Sequence, residues 1–236
     1  MALSIKTQLL RACNAVVDLI YPPLCLYCEA KLPPTSPLFC ERCLEFLRPL
    51  PMEGHCMRCF DELGKHTACQ RCRMRPVMIH RQAAVTAAFG PAKTLLSRLE
   101  RSEFHLIQAV ASLILLQFAQ LGWAVPDAIV PVPIPWWQRL KRGQDVNLLL
   151  ARELAASLER PILRPFVSGI DWGKFGSADG LQQKYTIKMR AKEALCDQRL
   201  LLISLNFDDA LFRESGEALQ EGFPAEINAL GFAKYE

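Results

Sequence analysis

Apolar and polar positions follow one pattern from about residue 83 to the end of the chain, where short apolar runs alternate with helical spacing. The runs typical of buried strands are AAVTAAF, DAIVPVPI, RLLLISL and EINALGF. Residues 90–122, 146–158 and 208–222 have the spacing of amphipathic helices. Strands that alternate with helices predict a mostly parallel sheet covered by helices. We therefore expect an α/β domain over residues 83–236.

The first 22 residues have a different pattern, with apolar side chains at helical spacing up to the Pro22-Pro23 pair: Leu3, Leu10, Cys13, Val17 and Ile20. Polar residues interrupt this segment and no small-residue cleavage site follows, which argues against an export signal. We expect an amphipathic helix packed on the body of the protein. A helix on a membrane surface or on a partner protein is the alternative.

The most apolar stretch is HLIQAVASLILLQFAQLGWAV, and glutamine and serine interrupt it. It has no uninterrupted run of about 18 apolar residues, so we expect a buried helix and no membrane span. With neither export signal nor span, the chain is expected to be cytoplasmic. Thiols stay reduced in that compartment.

Eight of the ten cysteines form four Cys-x-x-Cys pairs between residues 25 and 72. Two such pairs complete a tetrahedral zinc site, so the pattern predicts two structural zinc ions. The short gaps favour sequential pairing, with Cys25, Cys28, Cys40 and Cys43 in one site and Cys56, Cys59, Cys69 and Cys72 in the other. Interleaved pairing and disulfides are the alternatives.

Residues 23–78 around these pairs are predicted to be a double zinc ribbon. The stretch is rich in proline and offers little core, so metal ligation, worth on the order of 10 kcal/mol in small zinc domains, must supply most of its folding free energy. His55 and His66 lie beside the ligands and could replace a cysteine, although surface positions are favoured. Cys13 and Cys196 stand apart as buried or free thiols.

The formal net charge of +4 is too small to indicate a nucleic-acid partner by itself. Positive residues do cluster in and after the cysteine region: Arg58, Lys65, Arg71, Arg73, Arg75, His80 and Arg81. Such a cluster can hold phosphates. Solvated surface charge is an equally good interpretation.

Ligands of parallel sheets bind beyond the carboxyl ends of the strands, so the residues after the second and third predicted strands are candidates. Trp136 and Trp137 precede a basic loop with Arg139, Lys141 and Arg142, which suits a phosphorylated ligand or single-stranded nucleic acid. Core packing of the tryptophans is the alternative. Two acidic residues, Asp208 and Asp209, precede the last helix. They could bind metal or ribose hydroxyls, but helix capping is favoured.

The order of these parts resembles the ComF family, in which a double zinc ribbon precedes a type I phosphoribosyltransferase-like domain. The stretch IVPVPIPWWQRLKRGQDVNLLLARELAASL carries the resemblance most specifically, together with the four cysteine pairs and RLLLISL. The resemblance implies a cytosolic protein linked to DNA uptake in natural transformation. It also implies a site for phosphoribosyl pyrophosphate and magnesium.

The chain departs from that family at the expected substrate site. Arg142-Gly143 leads into Gln144-Asp145-Val146 where the family has phenylalanine-asparagine-glutamine. The family's acidic pair and threonine-rich glycine turn can be aligned in two registers. Asp208-Asp209 either replace the acidic pair or enter the phosphate turn, and both registers lose the glycine that lets the backbone approach a phosphate.

The favoured hypothesis is a ComF-like protein of DNA uptake or processing with weakened or lost transferase activity, whose partners are single-stranded DNA and competence or DNA-processing proteins. An active phosphoribosyltransferase is the first alternative, with Asp208 and Asp209 binding ribose and magnesium, and Arg213, Arg139 and Arg142 binding phosphates. A zinc-ribbon module that docks protein partners is the second. Residues 166–185 contain several glycines and are expected to form a flexible loop.

Overall fold

The structure of the protein is a computed structural model that describes residues 22–33, 38–64, 68–74, 78–134, 136–170, 185–189 and 195–235. The helix predicted for the first 22 residues lies outside these ranges except for its last residue. Other predicted features also lie outside the described residues: Cys13, Lys65, His66 and Arg75.

A four-stranded parallel sheet forms the centre of the protein. Its strands are β1 (Arg81–Ala87), β2 (Ala128–Pro131), β5 (Arg199–Phe207) and β6 (Glu226–Lys234). They are arranged in the order β1-β6-β5-β2. Their side chains are buried almost continuously, as expected for parallel strands covered on both faces. The predicted mixed α/β fold with a parallel sheet is confirmed.

The helices are α1 (Glu41–Glu45), α2 (Gln70–Met74), α3 (Gly90–Glu100), α4 (Ile107–Leu121), α5 (Trp136–Arg142), α6 (Val146–Leu158) and α7 (Asp209–Gln220), with a 3-10 turn at Phe104–Leu106. Helix α6 has the predicted bounds because Asp145 caps its first turn by accepting from the Leu148 amide. Helix α4 ends at Gly122, whose positive φ of 59° suits a residue without a side chain.

Helices α6 and α7 cover opposite faces of the sheet. Ser204 of β5 contacts Asn147 of α6, whereas the Phe207 ring contacts Phe212 of α7. Side chains three positions apart on a strand point to opposite faces, so the two helices lie on different sides. Helix α4 packs beside α6 against β1 and β6.

Among the described residues, the stretch Phe104–Leu121 is long and apolar enough to cross a membrane by length and composition. Its residues Val110, Ile114 and Phe118 pack into the core. The face that carries Leu116 is exposed.

Two segments predicted as loops contain regular structure. Residues Trp136–Arg142 form helix α5 because good helix formers fill the positions before Gly143, which has a φ of 78°. The ends of the segment 166–185 extend into β3 (Phe166–Ile170) and β4 (Tyr185–Met189), which pair antiparallel. Residues 171–184 of that expected flexible loop lie outside the described residues.

The chain between the cysteine pairs covers the outer edge of β1. The Leu50 amide donates to the Val85 carbonyl at 2.8 Å, so this segment continues the ladder of the edge strand. The buried side chain of Gln117 in α4 donates to the Leu50 carbonyl at 3.0 Å. These bonds satisfy backbone groups that an open sheet edge would leave unpaired.

Candidate metal centres and the carboxyl edge of the sheet

The first ribbon cluster, defined as Cys25, Cys28, Cys40 and Cys43, joins a tight hairpin to the start of helix α1. The Cys25 amide donates to the Ala30 carbonyl at 2.8 Å, and the Cys40 amide points at the Cys25 sulfur at 3.5 Å. The Cys28 and Cys40 sulfurs are 3.6 Å apart. All four sulfurs lie within 4.8 Å of one another.

The second ribbon cluster, defined as Cys56, Cys59, Cys69 and Cys72, joins a similar hairpin to helix α2. Its sulfurs are 3.8 Å apart between Cys56 and Cys72 and 3.5 Å apart between Cys59 and Cys69. His55 is not one of the grouped side chains, and its ring stacks on Phe60 with centroids 4.5 Å apart. In the described part of the chain, these two clusters are the groups able to hold a metal ion.

The spacing of the sulfurs fits zinc in both clusters. Four sulfurs about 2.3 Å from a central zinc lie about 3.8 Å from one another in a tetrahedron. The observed separations of 3.5 to 3.8 Å match that geometry. They exceed the bonded distance in a disulfide, about 2.05 Å, and all eight thiols are free. The cysteines group sequentially, as their spacing predicts.

In the first ribbon cluster, the pKa of one cysteine thiol is lowered and that of another is raised. Burial opposes ionisation of Cys25, but the backbone amides of Cys28, Cys40 and Tyr27 lower its pKa to about 6. Burial raises the pKa of Cys43, and the thiols of the other three cysteines raise it further. Packing several thiolates this closely therefore requires a compensating cation, which a zinc ion supplies when bound.

The second ribbon cluster also contains thiols whose pKa values are shifted in opposite directions. The backbone amide of Cys72 lowers the pKa of Cys69. Burial raises the pKa of Cys59, and burial also raises that of Cys72 to about 11. Both clusters thus combine a thiol whose pKa is lowered with thiols whose pKa burial raises, and a bound cation would favour the thiolate form of the latter.

We call the carboxyl-terminal ends of strands β1, β6, β5 and β2 the carboxyl edge of the sheet. This edge carries the two predicted acidic residues. Asp208 caps α7, and its Oδ1 accepts from the amides of Ala210 at 2.9 Å and Leu211 at 3.1 Å. Asp209 pairs instead with Arg71 of the ribbon at 2.6 Å. Its other oxygen, Oδ1, is buried and has no hydrogen-bond partner.

The predicted arginines have separate surroundings. Arg213 lies one turn after Asp209 in α7, and its Nε is buried without a partner. Arg142 pairs with Glu100 at the end of α3 at 3.3 Å. Burial raises the pKa of the Asp145 carboxyl, and the positive charge of Arg139 opposes that rise.

The described members of the predicted basic cluster have different surroundings. Arg71 is engaged by acidic side chains, and the His80 ring nitrogen Nδ1 accepts from the Ile227 amide at 3.0 Å. Arg58, Arg73 and Arg81 are exposed. The side chains of the two tryptophans, Trp136 and Trp137, are not described.

The sequence interpretation missed the role of Asn147. This residue is a polar position inside the apolar run VNLLLARELAASL, and that contrast was the available signal. Its side-chain nitrogen Nδ2 donates to the Val132 carbonyl at 2.8 Å, and its side-chain oxygen Oδ1 accepts from the backbone amide of Leu205 at 2.8 Å. It therefore joins the carboxyl ends of β2 and β5.

Comparison with known proteins agrees with this geometry. Residues 16–73 match the family described as the double zinc ribbon domain, which includes both ribbon clusters. The chain is 22% identical over 151 residues to Competence protein F of Haemophilus influenzae, and the match covers 62% of this chain. It spans 65% of the length of that relative.

Among solved structures, the chain is similar to the crystal structure of a hypothetical protein from Neisseria gonorrhoeae with bound ppGpp. The TM-score is 0.34 at 15% sequence identity, and the alignment covers 56% of this chain and 66% of the other. The family match and the sheet topology show a double zinc ribbon domain at the front of this chain, followed by a parallel α/β sheet, in a protein similar to Competence protein F.

Proposed function

We propose that this chain is a ComF-like protein with a phosphoribosyltransferase-like sheet domain that acts in DNA uptake or processing, with transferase activity weakened or lost. The similarity to Competence protein F and the double zinc ribbon support the ComF-like role. The single observation that carries the loss of activity is the position of Asp208.

Under this proposal, the Asp208 carboxylate competes with a substrate anion for the start of α7. A helix N-terminus after a parallel strand binds phosphate through its free backbone amides. Here the Asp208 carboxylate accepts from the amides of Ala210 and Leu211 itself. A carboxylate about 4 Å from a phosphate costs roughly 4 kcal/mol per pair of unit charges at an effective dielectric of 20. A diphosphate sugar would therefore bind weakly at this helix.

Asp209 is also committed, because its Oδ2 pairs with Arg71 at 2.6 Å. A magnesium ion at this carboxylate would have to displace the guanidinium or use Oδ1 alone. Both acidic residues of the carboxyl edge thus have roles within the protein. This arrangement favours a binding or accessory function over catalysis.

An active phosphoribosyltransferase is the second candidate, and the buried Nε of Arg213 favours it. A buried donor without a partner is costly unless a ligand satisfies it, and guanidinium groups bind phosphate well. Under this alternative Arg213 would hold the pyrophosphate, with Asp208 and Asp209 binding ribose and magnesium.

Calorimetry with phosphoribosyl pyrophosphate and magnesium separates the two candidates. The wild-type protein is expected to show no binding in the micromolar range. The control variant is Asp127→Asn, since Asp127 precedes β2 at the opposite edge of the sheet. Micromolar binding that Asp208→Asn abolishes and Asp127→Asn preserves would overturn the proposed loss of the substrate site and favour the active enzyme.

The proposed single-stranded DNA partner is tested by retention on a DNA matrix at increasing salt. Neutralising Arg139 and Lys141 of α5 should lower the salt concentration that elutes the protein, because each lost phosphate contact reduces the salt dependence. Retention that is unchanged in these variants would favour the alternative of a zinc-ribbon module for protein partners.

A further inference from the structure

Arg71 connects the second ribbon cluster to the carboxyl edge. It lies on α2 between two cysteines of that cluster, Cys69 and Cys72. Its guanidinium contacts Asp209 Oδ2 at 2.6 Å and Asp61 Oδ1 at 3.8 Å. Arg71 is two positions from Cys69 and one position from Cys72. It therefore connects these metal-ligating positions to the first turn of α7.

A second polar contact connects the same ribbon to the end of β6. Lys234 Nζ donates to the Phe60 carbonyl at 3.0 Å and lies 3.4 Å from Asp61 Oδ1. The same ammonium lies 5.8 Å from the centre of the Phe207 ring at the end of β5. Asp61 thus faces both Arg71 and Lys234, and the three residues tie the ribbon to two neighbouring strand ends.

An apolar contact lies under these charges. Phe60 follows Cys59 directly and is fully buried. Its ring lies 6.2 Å from that of Phe207, which in turn lies 5.4 Å from that of Phe212 in α7. The hairpin of the second ribbon therefore contributes to the core at the carboxyl edge, whereas α2 contacts the edge through polar groups.

Helix α2 depends on the metal site for its position. It has five residues and none of them is buried. A helix this short is unstable by itself in water, and no apolar side chain anchors it. Ligation of Cys69 and Cys72 would anchor the helix at both cysteines, so we expect the placement of Arg71 to depend on metal in the second ribbon cluster.

We infer that the second zinc ribbon is a latch on the carboxyl edge: metal in the second ribbon cluster holds Arg71 against Asp209 and keeps this edge closed, and loss of that metal opens it. The edge is where parallel sheets bind ligands, and Asp209 retains an unpartnered oxygen there. The inference holds whether or not transferase activity persists. By thermodynamic reciprocity, weakening the Arg71–Asp209 pair must also weaken metal binding at the second ribbon cluster.

The first test changes a residue of the sheet domain and measures the effect on zinc affinity at the second ribbon cluster. The full-length zinc protein is titrated with a chromogenic chelator, and the two zinc ions are assigned with the single-cluster variants Cys43→Ser and Cys72→Ser. Asp209→Asn leaves the ribbon sequence unchanged and should weaken the second zinc about fivefold, with the first zinc unaffected. Asp127→Asn is the control. Equal affinities of Asp209→Asn and Asp127→Asn would overturn the inference.

The second test measures amide hydrogen exchange at the start of α7 and the end of β6. Arg71→Ala and Cys72→Ser should speed exchange of the amides from Ala210 to Phe212 by about fivefold, because the edge opens more often. Arg73→Ala, which changes an exposed arginine of the same helix, and Cys43→Ser should leave these amides protected. Identical exchange in Arg71→Ala and Arg73→Ala, or in Cys72→Ser and Cys43→Ser, would contradict the latch.

Discussion

The side-chain oxygen of Asn147 accepts a hydrogen bond from the backbone amide of Leu205 at 2.8 Å. The same side chain donates to the Val132 carbonyl at 2.8 Å. The backbone ladder between β2 and β5 ends just before these groups, with the Val132 amide bonded to the Ile203 carbonyl. The buried side-chain amide of Asn147 therefore takes the place of the next backbone hydrogen bond between the two strands.

Replacing Asn147 with leucine should destabilise the protein by about 2–4 kcal/mol, because two buried backbone groups lose their partners. Urea unfolding measures this difference. Ser157→Ala is the control on the same helix, since the Ser157 hydroxyl is exposed and bonds only within α6 among its described contacts. Its effect should stay within about 0.5 kcal/mol. Equal stability of Asn147→Leu and Ser157→Ala would show that the amide is not required.

The two ribbon clusters predict two zinc ions per chain, which mass spectrometric metal analysis of purified protein can count. Cys43→Ser removes one ligand of the first ribbon cluster and should leave one tightly bound zinc. Cys196→Ser is the matched control because Cys196 is exposed and outside both clusters, and it should retain both ions. Metal-free protein with its thiols paired to each other would refute the zinc assignment and the expected cytoplasmic location.

The Asp208 cap predicts a graded response to substitution. Asp208→Ala should lower the free energy of unfolding by about 1 kcal/mol, because the amides of Ala210 and Leu211 lose their acceptor. Asp208→Asn keeps an acceptor at the cap and should be closer to the wild type. Thermal or urea unfolding of both variants checks the order. A smaller loss in the alanine variant than in the asparagine variant would contradict the capping role.

Asp127 predicts a specific dependence of stability on pH. Its ion pair with Arg199, 3.1 Å between Oδ1 and the guanidinium, lowers the pKa of the carboxyl below its usual value. A carboxyl with a lowered folded-state pKa contributes stability above its unfolded pKa of about 4 and loses it as the pH falls through the folded value.

Wild type should therefore be slightly more stable than Asp127→Asn at neutral pH, and this difference should disappear as the pH falls below about 4. Urea unfolding at several pH values measures it. Arg199→Ala removes the guanidinium but keeps the backbone amide that donates to Asp127 at 2.9 Å, so it should retain part of this pH dependence. A difference that grows toward low pH would have the wrong sign for this ion pair.

Local patterns in the sequence determined the elements of this fold closely. The apolar spacing of VNLLLARELAASL predicts a helix with the bounds that α6 has, because Asp145 and the buried face are local features. The runs RLLLISL and EINALGF predict two strands, and the structure places these strands next to each other in the sheet. The Cys-x-x-Cys spacing predicts two four-sulfur sites, since the geometry of zinc restricts which side chains can meet.

Contacts between distant residues were decided by the tertiary structure. Arg71 and Asp209 are 138 positions apart, and each has a satisfactory local interpretation, as a surface charge and as a residue of a helix first turn. Asn147 and Leu205 are likewise far apart in sequence. The sequence by itself specified the metal clusters and the parallel sheet, because ligand spacing and periodicity are local. Only the packing of the ribbon on the sheet decided that Asp209 contacts Arg71, because the partner of a charge depends on which surfaces the fold brings together.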